Sequence, residues 1–382
     1  MPSKLKVGVL GATGTVGQRF ILQLANHPEF ELHALGASSS SAGKTYADAV
    51  AGRWKQQKPI PDNVKNMQVL ECLVDGFRQC DVVFSGLDSG PAATIEPALR
   101  EADLRVFSNA KNYRMDPLCP LVVPLVNPDH FNIIPKQRAS LKPSPKNGFI
   151  ITNANCSTTG IVVPLKALQE AFGPLDKIFV STMQAISGAG YPGVSSFDIM
   201  DNVVPYISGE EEKIESETRK ILGALSSDAS AFEDHAVTVT AHCNRVPVVD
   251  GHTECVSVSF QRRPPPSVEE VKEALRNYTC EAQKLGVHSA PKVAITVHDA
   301  PDRPQPRLDR DNQDGAGVDV GRVRACPMLD IKILILPHPL CFSCCDSGMA
   351  GQFVVLSNNV MIGAATSSVM NAEIALAKGF LN

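Results

Sequence analysis

Cys156 carries the strongest chemical signal in the chain. The run Ile151-Thr152-Asn153-Ala154-Asn155-Cys156-Ser157-Thr158-Thr159-Gly160 ends an apolar strand in a loop of small residues and presents one thiol. A helix follows at once, marked by Ile161, Val162, Leu165, Leu168 and Phe172. A thiol at a helix N-terminus lies at the positive end of the macrodipole, which favours the thiolate and makes a nucleophile. On this local pattern alone a small buried core residue explains Cys156 equally well.

The elements that must position such a thiol are legible on both sides of it. Residues 5–10 read as an apolar strand, followed by Gly11-Ala12-Thr13-Gly14-Thr15-Val16-Gly17 and a helix with Phe20, Ile21, Leu24 and Ala25. A second strand runs from Phe30 to Ala37. This βαβ unit with glycines at its first turn is a dinucleotide-binding arrangement, in which backbone approaches a pyrophosphate at the helix N-terminus. An NAD-type site offers Asp or Glu at the end of the second strand. Here Ser38-Ser39-Ser40-Ser41-Ala42-Gly43-Lys44 stands instead, and its four hydroxyls and a lysine suit a 2′-phosphate. A solvated serine loop is the plainer alternative.

Further strands are expected at 68–71, 81–86, 104–108 and 121–126, alternating with helices as in a doubly wound α/β sheet. Beyond Cys156 the pattern changes to long alternating runs at 177–185, 236–242, 254–261 and 292–298, the strands of a more antiparallel second sheet. Helices at 195–207, 210–224 and 267–285 would cover it, and a last helix at 364–381 would return to the first domain. The expected division is a cofactor domain over 1–155, a second, α+β domain over 156–356, and a C-terminal helix in 357–382.

Composition narrows the class. The 382 residues suffice for two domains, with 43% hydrophobic and 20% charged residues and a net charge of −4. That balance gives no reason to invoke nucleic acid or an anionic membrane, and no apolar run approaches the ~18 residues of a membrane span. Eleven cysteines without a secretory signal read as reduced thiols of a cytoplasmic protein.

With Gly11 to Gly17, Asn155-Cys156-Ser157-Thr158 and Gln184-Ala185-Ile186-Ser187-Gly188-Ala189-Gly190 in view, the chain resembles the aspartate-β-semialdehyde dehydrogenases, in their archaeal and fungal branch. Ser108 to Arg114, Gly209-Glu210-Glu211-Glu212-Lys213, Cys243-Asn244-Arg245-Val246 and Gly251-His252-Thr253-Glu254 extend the match over nearly the whole length. The segment from Asp302 to Arg310 is similar to the fungal members specifically.

The resemblance implies NADPH-dependent reduction of L-aspartyl-4-phosphate to the semialdehyde and phosphate, in threonine and methionine biosynthesis. It implies that Cys156 is the nucleophile, His252 the acid/base, and Gln184 the residue orienting the acyl intermediate. Arg245 would grip the substrate α-carboxylate, Glu211 would receive its ammonium, and Lys213 and Arg114 would bind phosphate. Residues two apart do not share a helix face, so pairing Glu211 with Lys213 requires an irregular helix start. The implied cofactor contacts are Gly11, Thr13, Gly14, Thr15, Val16, Ser38, Ser39, Ser40, Ser41, Ser85, Gly188 and Asn359, with Gly188 letting backbone approach the nicotinamide. Expected partners are the small-molecule substrate and further copies of the chain, as a homodimer or homotetramer; no metal, nucleic acid or membrane is implied.

The chain departs from the branch in three places. Ser40 replaces an arginine, which narrows the expected preference for NADP. Asn358 replaces a histidine. About twenty residues, Ile333 to Gln352, interrupt what would be one strand from Leu329 to Ser357. They contain His338, Cys341, Cys344 and Cys345, a superficial imitation of a metal cluster lacking a second ligand pair at zinc-finger spacing. The segment reads better as foreign to the fold, such as an in-frame retained intron, expected to project as a loop with the strand resuming near Phe353. Two alternatives are carried forward: a reductase of another acyl donor, such as N-acetylglutamyl phosphate or malonyl-CoA, which Arg245 and Glu211 argue against; and a dinucleotide-binding regulatory protein without catalysis.

Overall fold

The first sheet is built from short apolar strands that alternate with helices. In the computed structural model, which describes residues 3–326, 329 and 350–382, these strands are β1 (Leu5–Leu10), β2 (Phe30–Ala37), β3 (Val69–Glu71), β4 (Val82–Ser85), β5 (Arg105–Ser108), β6 (Leu121–Val122) and β7 (Phe149–Asn153). They pair in parallel in the order β3-β2-β1-β4-β5-β7-β6. β4 and β7 are buried along their full length, which is why they read as continuous apolar runs rather than alternating ones. The strand order reverses at β1, between β2 and β4, and that switch point is where open α/β sheets bind ligands.

Helix α1 (Thr15–Leu24) starts at this point. Gly11 leaves β1 with φ +69°, and a Cβ there would stand 2.7 Å from the Gly86 carbonyl oxygen. A Cβ on Gly17 would stand 2.1 Å from the Gly11 oxygen, so only glycine lets α1 pack onto the turn. On the other side of β4, helix α2 (Ser89–Glu101) leads to β5.

Helix α3 (Cys156–Phe172) follows β7 and opens the second half of the chain. The second sheet contains β8 (Leu175–Gln184), β9 (Thr238–Arg245), β10 (His252–Phe260), β11 (Ile295–His298), β12 (Val318–Cys326) and β13 (Ala350–Ser357). Its order is β9-β8-β10-β13-β12-β11. β10 is antiparallel to both β8 and β13, whereas β8 and β9 run parallel, so their carboxyl ends meet the start of β10. One face lies under α3, α4 (Glu210–Leu222) and α5 (Val268–Asn277). The other face is open: along β8 the inward Ile178, Val180 and Thr182 are buried, while Lys177, Phe179, Ser181 and Met183 are not.

Three expected elements differ from what is observed. The 195–207 helix reduces to one turn, Ser196–Ile199: the backbone turns extended at Met200 and left-handed at Asp201 (φ +56°), and the apolar residues that follow are not covered within the chain. The 267–285 helix splits at Tyr278, whose hydroxyl donates to the Leu125 carbonyl, and restarts as α6 (Glu281–Leu285). The last helix, α7 (Thr366–Ala377), follows a π-helical turn, Met361–Ala365. It is buried from Thr366 to Ala375 and packs on α1, β4, β5 and β7, returning the chain to the first sheet. Its Glu373 accepts from His27 Nε2 (2.7 Å) and from Ser289 Oγ (2.8 Å), tying three distant segments together.

Gly351 and Gln352, assigned above to the foreign segment, are ordinary members of β13, in register with Val258 and Ser257 of β10. Residues 333–349, including His338 and the three cysteines, lie outside the described residues.

Glu254 is fully buried on β10, two residues beyond His252, and neither carboxyl oxygen has a partner among the described residues. Burial holds its carboxyl well above the ordinary range, so the native state keeps a proton that the unfolded chain releases. Each pH unit above the unfolded value costs the native state about 1.4 kcal/mol while that proton stays bound. Glu254→Gln should therefore raise the melting temperature, with a gain that grows from about pH 5 to about pH 8. Thermal unfolding across that range checks it; a gain that is flat with pH would show that Glu254 is ionised in the native protein.

Candidate active site

The loop that presents Cys156 is fixed by a helix cap. Asn155 is the N-cap of α3, and its Oδ1 accepts from the backbone N–H groups of Ser157 (3.0 Å) and Thr158 (3.1 Å). Its Nδ2 donates to Glu210 Oε1 (2.6 Å) and its backbone N–H to Glu217 Oε2 (2.6 Å), both on α4. Cys156 is thereby held in the first turn of α3, its sulfur open to a cleft of about 620 Å³.

The second sheet delivers the other groups. Gln184 and Arg245 are paired neighbours at the ends of β8 and β9, and His252 begins β10. His252 Nε2 stands 3.1 Å from Cys156 Sγ. His252 Nδ1 accepts the Ala185 backbone N–H (3.0 Å), so the proton of the neutral ring sits on Nε2 and points at sulfur. Arg245 is steadied by an Nη1 bond to the Ala185 carbonyl (2.6 Å).

Electrostatics keep this pair neutral at rest. Burial, reinforced by Glu210, pushes the Cys156 thiol up to about 12, while Arg114 and Arg245 pull it the other way. Burial and then the Arg245 charge push His252 down to about 3, against the pull of Glu210. The sulfur opens onto the cleft, so entering water or substrate offsets part of that burial. An imidazole that carries its proton on Nε2 and takes a second only weakly is placed as a donor to sulfur or to a developing oxyanion rather than as a base for the thiol. The deprotonating role expected for His252 does not fit this tautomer.

Glu211 does not face the cleft. Its Oε1 accepts from the Cys243 backbone N–H (3.0 Å), which ties α4 to β9. The acid on the cleft wall is Glu210, paired with Lys213 Nζ at 3.0 Å. Three residues apart, the two share a face of a regular helix, which Glu211 and Lys213 cannot. Burial raises the Glu210 carboxyl, but Lys213 and the Asn155 amide outweigh it and hold it below its ordinary value, as a carboxylate.

Arg114 reaches the cleft with Nη1 on Glu217 Oε1 (3.0 Å) and Nη2 on the Asn109 carbonyl (2.9 Å). Gln184 is buried with its amide toward Thr182 Oγ1 (3.4 Å), on the sheet face beneath the cleft rather than on its wall.

Of the expected cofactor residues, Thr15, Val16, Gly188 and Asn359 line the cleft. Gly11, Thr13 and Gly14 shape the turn behind it. Ser38, Ser39 and Ser40 are exposed at the end of β2, with Ser38 Oγ and Ser40 Oγ 3.0 Å apart, and Ser41 is buried beneath them. Ser85 is a correction: its hydroxyl turns to the buried Glu96, and the adjacent Gly86 and Leu87 form the wall instead. Asn359 Nδ2 donates to Ser187 Oγ (2.9 Å), fixing the Ser187–Gly190 loop. Gly188 has a further reason to be glycine: a Cβ there would stand 2.9 Å from Arg245 Nη1 and 3.3 Å from His252 Nε2.

Several contributors were not anticipated. Asn155 carried the ordinary signature of an N-cap. Glu210 was detectable from its spacing to Lys213. Gly363, in the π-helical turn, carried no signal at all, yet a Cβ there would stand 2.9 Å from Cys156 Cβ.

A dinucleotide fits this structure. The glycine turn leaves room for backbone approach at the α1 N-terminus, and the cleft runs from Thr15 and Val16 past Gly86 to Gly188 and Cys156.

Comparison with known proteins agrees with this geometry. A family model described as the semialdehyde dehydrogenase NAD binding domain matches residues 6–134, and one described as the semialdehyde dehydrogenase dimerisation domain matches residues 165–341. The aspartate-semialdehyde dehydrogenase of Cryptococcus neoformans var. neoformans serotype D is 63% identical over 383 residues, covering 99% of this chain and 98% of the relative. That of Saccharomyces cerevisiae is 51% identical over 387 residues, covering all of both chains. The crystal structure of the Candida albicans aspartate semialdehyde dehydrogenase with NADP superposes with a TM-score of 0.86 at 51% identity, covering 98% of this chain and 99% of that one. By identity along its whole length, the chain belongs to the aspartate-semialdehyde dehydrogenase family.

Proposed function

We propose that the protein reduces L-aspartyl-4-phosphate to aspartate 4-semialdehyde and phosphate with NADPH. The observation that carries this reading is the Cys156–His252 pair at the start of α3, facing a cleft walled by Arg114, Lys213, Arg245 and Glu210. Those four charges complement a substrate with two anionic ends and one ammonium. Arg245 suits the α-carboxylate because a guanidinium makes a two-pronged contact. Glu210, in place of Glu211, suits the ammonium. Arg114 and Lys213 suit the phosphate. Another acyl-phosphate or acyl-CoA substrate lacking the ammonium would gain nothing from the Glu210 carboxylate, which Asn155 and Lys213 hold in place.

The steps follow from the groups present. Sulfur of Cys156 bonds to the acyl carbon as the acyl–oxygen bond to phosphate breaks, and the thiol proton leaves with inorganic phosphate. NADPH would be held along Thr15, Val16 and Gly188, with Ser38–Ser41 near its 2′-phosphate, and bound there it would supply a hydride to the thioester carbon. His252 Nε2–H lies where it can hydrogen-bond the oxyanion that hydride addition creates on the thioester oxygen. Collapse of that oxyanion breaks the carbon–sulfur bond and releases the aldehyde, and the thiolate left on Cys156 takes up a proton from solvent. Glycine at 188 and 363 allows sulfur, imidazole and Arg245 to pack this closely.

Residues 1–155 would serve as the cofactor domain and 156–356 as the catalytic and dimerisation domain, with 357–382 returning to the first. The two separate sheets and the two family-model matches support this division. The protein would work in the cytoplasm as a homodimer or a homotetramer built from such dimers. Its open sheet face, with Phe179 and Met183, supports self-association, as do the exposed Tyr191, Phe197, Met200, Val203 and Tyr206. Among the described residues no helix is long and apolar enough to cross a membrane.

Phosphate-dependent reduction of NADP by aspartate semialdehyde is the direct test of the reaction; its absence would leave a dinucleotide-binding protein without this catalysis. Cys156→Ala should fold and bind NADPH yet lose nearly all turnover. Iodoacetamide labelling of Cys156 should be slowed by bound substrate. Retention of more than a few per cent of activity would remove the covalent step.

Arg245→Lys should chiefly raise KM for the semialdehyde, by roughly 10- to 100-fold, the worth of a charged hydrogen bond. His252→Asn should chiefly lower kcat, by roughly 10²- to 10⁴-fold. Steady-state kinetics showing the two effects exchanged would reverse the assignments.

Phe197 is 97% exposed, and Phe197→Asp combined with Tyr206→Asp should shift the protein toward monomer. Light scattering after size exclusion checks this. An unchanged oligomer would place the contact on another surface.

A further inference from the structure

Glu217 lies outside every role assigned above, yet it touches both ends of the site. It is 2% exposed, on the buried face of α4, seven residues after Glu210. Its Oε1 accepts from Arg114 Nη1 at 3.0 Å and its Oε2 from the Asn155 backbone N–H at 2.6 Å. One carboxylate thus joins the cation facing the cleft to the cap of the nucleophile's helix. Arg114 is otherwise held only by the Asn109 carbonyl, and its buried Nε has no partner among the described residues. Lys220, one turn further along α4, donates to the Arg114, Asp116 and Cys119 carbonyls, so the loop carrying Arg114 is anchored to the same helix face.

We propose that Glu217 is a positioning residue that couples phosphate recognition at Arg114 to the placement of Cys156. Both of its partners are N–H donors. Only a group with two acceptor oxygens satisfies them together, and an amide of the same shape would turn an NH2 toward one of them. The carboxylate sets the plane of the guanidinium and, through Asn155, the first turn of α3. An anion engaging Arg114 draws on the same carboxylate that holds the cap, so occupancy at one end is felt at the other. The inference rests on the reaction proposed above for its kinetic readout, but not for its chemical one.

The test is a double-mutant cycle in the full-length protein with Glu217→Gln and Arg114→Ala. Phosphate-dependent NADP reduction gives KM for phosphate, KM for NADP and kcat. The rate of Cys156 labelling by iodoacetamide, with and without inorganic phosphate, is read on the same variants. Glu217→Gln should raise KM for phosphate by roughly 10- to 100-fold, as the loss of a charged hydrogen bond does. KM for NADP should stay within about twofold, and phosphate should no longer alter the labelling rate. In the Arg114→Ala background, adding Glu217→Gln should change KM for phosphate little but still change the labelling rate.

A Glu217→Gln protein with native KM for phosphate and native, phosphate-sensitive labelling would overturn the proposal. So would additive effects of the two substitutions on KM for phosphate, or a uniform loss that includes NADP binding. If Glu217→Gln does not fold, Glu217→Asp, one methylene too short to reach both donors, enters the same cycle. Should the natural chain lack the phosphate-dependent activity, the proposed reaction fails, and the labelling arm alone decides on Glu217.

Discussion

Everything in this site hangs on the first turn of one helix. Asn155 is bonded at its side-chain oxygen, its side-chain nitrogen and its backbone nitrogen, and the last two bonds end on carboxylates of α4. A cap of this kind does more than terminate α3. It converts a flexible loop of small residues into a rigid support for sulfur, and it makes the placement of Cys156 depend on a helix more than fifty residues away in the chain, at Glu210. The second sheet then needs only to bring His252 within 3.1 Å. The parallel pairing of β8 with β9, against antiparallel β10, gathers Gln184, Arg245 and His252 at one end.

The charge pattern follows from that geometry. Sulfur and imidazole are both held neutral by burial, and the ring's tautomer is fixed by a backbone N–H on its far side. The charges that do persist face the cleft or one another: Glu210 with Lys213, Glu217 with Arg114. A buried carboxylate shared between two donors costs less than an isolated one, which is how α4 tolerates two of them on its inner face.

Much of this was legible in the sequence. The turn from Gly11 to Gly17, the strand Phe30–Ala37 and the thiol at Cys156 each announce themselves by local physics: close backbone approach, apolar continuity, a helix start. The choice of Glu211 over Glu210 went wrong although helical spacing to Lys213 favoured Glu210. Glu217 was hidden for a deeper reason. Within a run rich in Glu and Lys it looks like part of a solvated face, and only the tertiary fold brings Arg114 and Asn155 against it. The helix expected at 195–207 failed because its apolar residues mimic an amphipathic period while facing outward, toward surface that nothing within the chain covers. Gly363 was illegible because its neighbour in space is some two hundred residues away.

That last contact has a consequence for biogenesis. The π-helical turn Met361–Ala365 seats Gly363 against the back of Cys156, and α7 behind it threads between α1 and the strands of the first sheet. The strands of the first sheet are synthesised first, yet that sheet lacks this covering helix until residues 361–377 emerge from the ribosome. Completion of the core and completion of the site are therefore the same late event. A nascent chain carries its cysteine unsupported, and synthesis itself times the moment at which the thiol acquires its surroundings.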